Sequence, residues 1–207
     1  TLDGEFMVSH DGDLNRMFGY DFQISTLTAE QIKKYFMING SHVDFYDNLT
    51  MPTLDEYLKV MKKDKEVHPF IEIKEKLNEA DLCKIVKQVK DQGLLQGTYF
   101  ISMHQSNLLA LKQMDGVNVS QLQYVYGSGD SNKATPVSST VINWCIDNQI
   151  DLDSRQSLIS ASDVYRLQMA GRKVNVWTVN TVEKAYELVN NLHVDMITTE
   201  YMLNSEF

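Results

Sequence analysis

Positive charge is in short supply: 19 Lys and Arg stand against 28 Asp and Glu in 207 residues, for a formal net charge of −9 and a pI near 5.0. Such a field repels phosphate backbones and acidic lipids, so no nucleic-acid partner is expected, and an anionic substrate needs a local cationic site. Cysteine is scarce too. Cys83 and Cys145 lie in helix-like contexts with no short spacing to each other or to a histidine, which excludes a disulfide framework or a zinc motif and leaves both as expected packing residues. No run approaches the roughly 18 apolar residues of a membrane span, so membrane association is expected only through segments outside this chain. Nor does a glycine-rich loop follow any apolar run, which argues against a nucleotide-binding doubly wound sheet.

What is present is enough apolar material, 43% of the residues, to bury one sizeable core, and residues 1–207 are expected to form a single domain. Short β-rich runs alternate with helical patterns, the mark of strand–helix–strand units and a parallel sheet. "EFMVSH" (Glu5 to His10) reads as strand. "TLDEYLKVMKK" follows Pro52 and spaces Leu54, Tyr57, Leu58 and Met61 at i, i+3, i+4 and i+7, a helix capped by Thr53 with Glu56 completing a capping box. Thereafter "HPFIEIK", "GTYFISMH", "VSQLQYVYG", "QIDLDSR", "KVNVWTVN" and "VDMITTEY" read as strands, with helical segments between them. The total is roughly seven strands and about six helices, the pitch of a (β/α) barrel or a doubly wound sheet, and the missing glycine-rich loop favours the barrel. The connection from Gly19 to Pro52 is long and holds at most one short helix, around Thr28 to Phe36, as expected of a binding loop after a strand end.

In such a barrel, catalytic groups lie at the carboxyl ends of the strands. His10 and Asp11 close the first predicted strand, Glu72 and Lys74 lie in the second, Ser102 and His104 close the third, and Trp177 and Asn180 lie near the end of "KVNVWTVN". In "FIEIK" a carboxylate and an ammonium occupy alternate positions of an otherwise apolar strand, so they point to one face. Burying them costs several kcal/mol unless they are paired or bound to a ligand. Two readings stand: a structural ion pair, or a hard cation on Glu72 beside a phosphate on Lys74. Likewise His10 and Asp11 are either a polar loop or a catalytic pair, and Trp177 is either core or a wall of the site.

Several stretches, in order, resemble the glycerophosphodiester phosphodiesterase (glycerophosphoryl diester phosphodiesterase) family. "TLDGEFMVSHDGDLNR" is similar to its apolar strand followed by His-Asp-x-x-Leu-x-Arg, "MPTLDEYL" to its Ile-Pro-Thr-Leu-x-Glu helix start, "FIEIK" to its Ile-Glu-Ile-Lys strand and "YFISMH" to its Ser-Phe-Asp strand end. "AGRKVNVWTVNT" and "VDMITTEYM" are similar to its last two strands. The resemblance implies a (β/α)8 TIM-type barrel and hydrolysis of a small-molecule glycerophosphodiester to glycerol 3-phosphate and an alcohol, assisted by a divalent metal, Mg²⁺ or Ca²⁺. It implies that His10 is one of two catalytic histidines and protonates the departing alkoxide, a role suited to imidazole because it titrates near neutrality. Glu72 would be a metal ligand, Lys74 would neutralise a phosphate oxygen, and Trp177 would pack against the substrate. His104 has no assigned role, and His42, His68 and His193 read as surface or loop residues.

The family also opens with a His-Arg-Gly strand, a Pro-Glu-Asn-Thr stretch and a Glu-x-Asp strand, none of which occurs here. The chain is therefore expected to be an N-terminally incomplete barrel lacking its first two strands, and inactive alone. Met17 and Phe18 replace usual threonines, Met103 an aromatic, and Glu200 an aspartate. The rival functions are a non-catalytic barrel serving as a binding or regulatory module, and a related phosphodiesterase of the phospholipase D-toxin kind.

Overall fold

The computed structural model describes residues 1–129 and 133–200. It divides into two compact units: Thr1–Pro69 with Cys83–Leu95, and Phe70–Leu82 with the chain from Gln96 onward.

The first unit is built from short helices, α1 (Asn15–Phe18), α2 (Ala29–Ile32) and α3 (Leu54–Met61), with most of α4 (Glu79–Asp91). Leu14, Phe18, Ile32 and Met51 form its core, with Met7, Ile24 and Leu27 packed against them. Phe18, one of the departures from the family pattern, is thus a core residue. α3 starts as its sequence predicts: the Thr53 side chain accepts from the Glu56 N–H while the Glu56 carboxylate accepts from the Thr53 N–H. α2 has the same reciprocal cap, from Thr28 and Gln31, and falls inside the one helical stretch expected of the long connection.

Glu5 to His10 is not a strand. Only Met7 pairs, in an isolated antiparallel bridge with Thr53, flanked by Val8 N–H to the Pro52 carbonyl (2.9 Å) and Leu54 N–H to the Phe6 carbonyl (2.8 Å). The pairing stops there because the partner segment turns into α3 at Leu54, and the helix takes the backbone groups a longer ladder would need. Cys83 also departs from expectation, being exposed on α4, whereas Cys145 is buried.

The second unit carries one sheet of six parallel strands in sequence order: β1 (Phe70–Glu72), β2 (Tyr99–Ser102), β3 (Leu122–Tyr126), β4 (Asp151–Arg155), β5 (Val174–Trp177) and β6 (Met196–Ile197). α5 (Gln105–Leu111), α6 (Ser139–Asn148), α7 (Ala161–Met169) and α8 (Val182–Asn190) follow β2, β3, β4 and β5 in turn, so the sheet is a curled α/β half-barrel of the TIM type. Side-chain oxygens of Ser138, Ser160 and Thr181 cap α6, α7 and α8, each occupying an N–H that the first helical turn leaves unpaired.

Alternation along the strands decides which residues face the helices. Leu152, Val174 and Val176 share a core with Ile142, Cys145, Val164, Leu167, Ala185 and Leu188 of the helices, each buried Leu, Ile or Val side chain contributing about 1.5–3 kcal/mol. The residues between them in sequence lie on the opposite face. Through the register Asp153↔Asn175 and Arg155↔Trp177, Gln123↔Asp151, Ile101↔Gln123 and Glu72↔Ile101, that face carries Glu72, Gln123, Asp153, Arg155, Asn175 and Trp177.

Candidate active site

Glu72 is the last residue of β1, and Lys74 follows two positions on, so both project to the same side. The Lys74 ammonium donates to Glu72 Oε2 at 2.6 Å. The two side chains retain 32% and 28% of their exposure, so the pair sits at a strand end within reach of solvent and is not sealed in a core as the sequence suggested. Glu72 Oε1 makes no hydrogen bond to any described residue.

The backbone beneath this pair is pinned from the neighbouring strand and helix. Fully buried Ser102 donates through Oγ to the Ile73 carbonyl at 2.7 Å and accepts from the His104 N–H at 3.1 Å. Asn107, also fully buried, donates to the Glu75 carbonyl at 2.7 Å and accepts from the Leu77 N–H at 3.1 Å. His104 Nε2 lies 3.0 Å from the Lys74 carbonyl oxygen; since that oxygen can only accept, this nitrogen carries the proton. Ser102 and His104, grouped with the candidate site by sequence, therefore act on the loop that presents Lys74.

Farther along the same face, Asp153 is 3% exposed, and one of its carboxylate oxygens is buried without a hydrogen-bond partner. Burial, and secondarily the negative charge of Glu72, push its carboxyl up to about 7. Trp177, partly exposed at the end of β5, donates its indole N–H to the Asp153 carbonyl oxygen at 3.4 Å. The Arg155 guanidinium lies over the indole, 5.2 Å from the ring centroid. Asp153 and Arg155 escaped the sequence reading, although the signal was there: in "DLDSR" three charged residues alternate with uncharged ones in a strand, the same pattern that singled out Glu72 and Lys74.

His10 belongs to the first unit, in the loop between Val8 and α1, and its side chain is 80% exposed. Its Nδ1 lies 2.8 Å from Asp11 Oδ1, and Arg16 Nε donates to the other Asp11 oxygen at 2.7 Å. The His10 hydrogen bond, and after it Arg16, hold the Asp11 carboxyl below the usual aspartate range against the opposing cost of burial. A carboxylate facing Nδ1 places the proton on that nitrogen and leaves Nε2 without a protein partner among the described residues. The structure thus joins His10 to Asp11 and Arg16, and Glu72 to Lys74, with Trp177 on the Glu72 face of the sheet. His42 stacks on Phe45, and His68 and His193 are exposed, as their sequence contexts suggest.

Among the described residues, no three His, Cys, Asp or Glu side chains group so as to hold a metal ion, and no helix is long and apolar enough to cross a membrane. The free oxygen of Glu72 offers one carboxylate ligand, which suits a cation of the Mg²⁺ type that keeps several waters and binds through one or two carboxylates plus substrate phosphate.

Solved structures share the fold, these three among them. A phosphodiesterase from Oleispira antarctica, solved in complex with the product sn-glycerol-3-phosphate, is 22% identical with a TM-score of 0.79, the match covering 97% of this chain and 78% of that one. A glycerophosphodiester phosphodiesterase from Parabacteroides distasonis is 22% identical with a TM-score of 0.69, covering 97% and 76%. One from Agrobacterium tumefaciens is 15% identical with a TM-score of 0.67, covering 97% and 80%. No curated protein sequence matches the chain. The model of the glycerophosphoryl diester phosphodiesterase family matches residues 1–203. With its motifs in family order, its paired charges at a strand end and a match spanning nearly its whole length, the chain belongs to the glycerophosphoryl diester phosphodiesterase family, hydrolases of phosphoric diesters.

Proposed function

We propose that the protein hydrolyses glycerophosphodiesters to sn-glycerol 3-phosphate and an alcohol, assisted by Mg²⁺ or Ca²⁺. The observation that carries this reading is the solvent-reachable Glu72–Lys74 pair at the carboxyl end of β1, in a chain of this family. Lys74 spends one of its three donors on Glu72 and has two left for a phosphate oxygen, where its charge offsets the negative charge that grows as the ester bond breaks. Glu72 would hold the cation, which supplies further charge neutralisation at the phosphoryl group. His10 donates a proton from Nε2 to the departing alkoxide, and Asp11, itself fixed by Arg16, orients the imidazole through Nδ1.

The test is release of sn-glycerol 3-phosphate from a panel of glycerophosphodiesters by the natural full-length protein, with and without chelator. Release that stops on chelation and returns with Mg²⁺ or Ca²⁺ is the expected result. Activity indifferent to chelator overturns the role given to Glu72, and no release from any diester overturns the substrate.

A further inference from the structure

We propose that Arg155 selects the alcohol half of the substrate, favouring a neutral polyol such as glycerol or inositol over a quaternary ammonium alcohol such as choline. The inference rests on the function proposed above and names the substrate class for that same face.

Three observations carry it. Arg155 ends β4 opposite Trp177 in register, on the face of the sheet that also bears Glu72. Its guanidinium already covers the Trp177 ring at 5.2 Å. An indole face is the usual seat of a quaternary ammonium group; here it holds a permanent cation belonging to the protein, and a choline head group would meet like charge in place of an open aromatic surface. The third observation is an unmet need for acceptors. Among the described residues no carboxylate pairs with Arg155: its one hydrogen bond runs from Nη2 to the Gly129 carbonyl at 3.2 Å, and its Nε–H is buried without a partner. Beyond the Nη2 bond to Gly129, the guanidinium has Nη donors left over that the hydroxyl oxygens of a polyol can meet, whereas trimethylammonium has no acceptor at all. Trp177 then serves as the apolar floor that keeps the guanidinium plane in place.

The experiment compares kcat/KM for glycerophosphoglycerol, glycerophosphoinositol and glycerophosphocholine in the full-length protein and in Arg155→Gln. The natural protein should favour the two polyol diesters, and Arg155→Gln should shift the polyol-to-choline ratio toward choline by about tenfold, the scale of one cation–aromatic contact plus its repelled competitor. Arg155→Lys, which keeps the charge, should retain discrimination against choline while losing part of the polyol preference. If Arg155→Gln does not fold, the Lys variant and the natural ratio still decide the matter. Cleavage of all three diesters at equal efficiency, or a ratio untouched by substitution, overturns the role of Arg155 and leaves the hydrolase reading standing; cleavage of none overturns that reading itself.

Discussion

Replacing Glu72 and Lys74 singly and together separates a structural ion pair from a working one. The two charges meet at 2.6 Å with about a third of each side chain exposed, between the regime of surface pairs, worth about 0–1 kcal/mol, and that of sealed pairs, where stranding one partner costs about 3–5 kcal/mol. Glu72→Gln or Lys74→Met alone should therefore cost about 2 kcal/mol, a fall of about 4–8 °C in Tm for a protein of this size. The double change to methionine removes both charges and leaves none stranded, so it should recover most of that loss, with a clear coupling energy in the thermal-melt cycle. Turnover must behave differently. Glu72→Gln removes the proposed cation ligand and Lys74→Met the charge facing the phosphate, so release of sn-glycerol 3-phosphate should fall in each single variant and stay low in the double variant however well it folds. A double variant that melts like the natural protein and still turns over would show that the pair only holds the fold together, and would remove the centre of the proposed mechanism.

Two further outcomes follow from the same geometry. His10→Ala should lower turnover about 10²-fold or more for diesters of ordinary alcohols and much less for nitrophenyl esters, whose leaving groups need little protonation; equal losses would exclude His10 as the acid. Asp151 is 2% exposed, and burial pushes its carboxyl up to about 6 despite the Lys173 N–H and Arg172 that favour its charged form. Because the folded value lies above the unfolded one, its contribution to stability is fully present below pH about 4 and lost as pH rises through about 6. The Tm of Asp151→Asn should accordingly gain on that of the natural protein across this window, by the equivalent of about 2 kcal/mol, and a difference that stays flat with pH would refute the assignment.

The half-barrel was largely legible in the sequence because its signals are local. Strand runs separated by helices at regular pitch, the Thr53–Glu56 cap and the alternation of Glu72 with Lys74 all depend on neighbours a few residues apart, and from Thr53 onward they appear where the pattern put them. The family motifs are legible for the same reason, as short strings in a fixed order. Glu5 to His10 misled because its apolar residues look like a strand, yet whether they form one depends on a partner, and the partner segment becomes a helix after a single bridge. Ser102 and His104 were legible only as strand-end residues. Their bonds go to the backbone at Ile73 and Lys74, some thirty positions away in the chain, a distance no local pattern spans.

What the sequence determined by itself was therefore the kind of element most segments form and the family, while His10, Glu72, Lys74 and Trp177 came from it only as candidates. Tertiary structure alone decided which face of each strand meets helices and which carries charge, because a two-residue period is symmetric until packing chooses a side. That choice left Asp153 buried with an unpartnered oxygen, and it is the register between β4 and β5, not any feature of either strand, that brings the Arg155 guanidinium over the Trp177 ring.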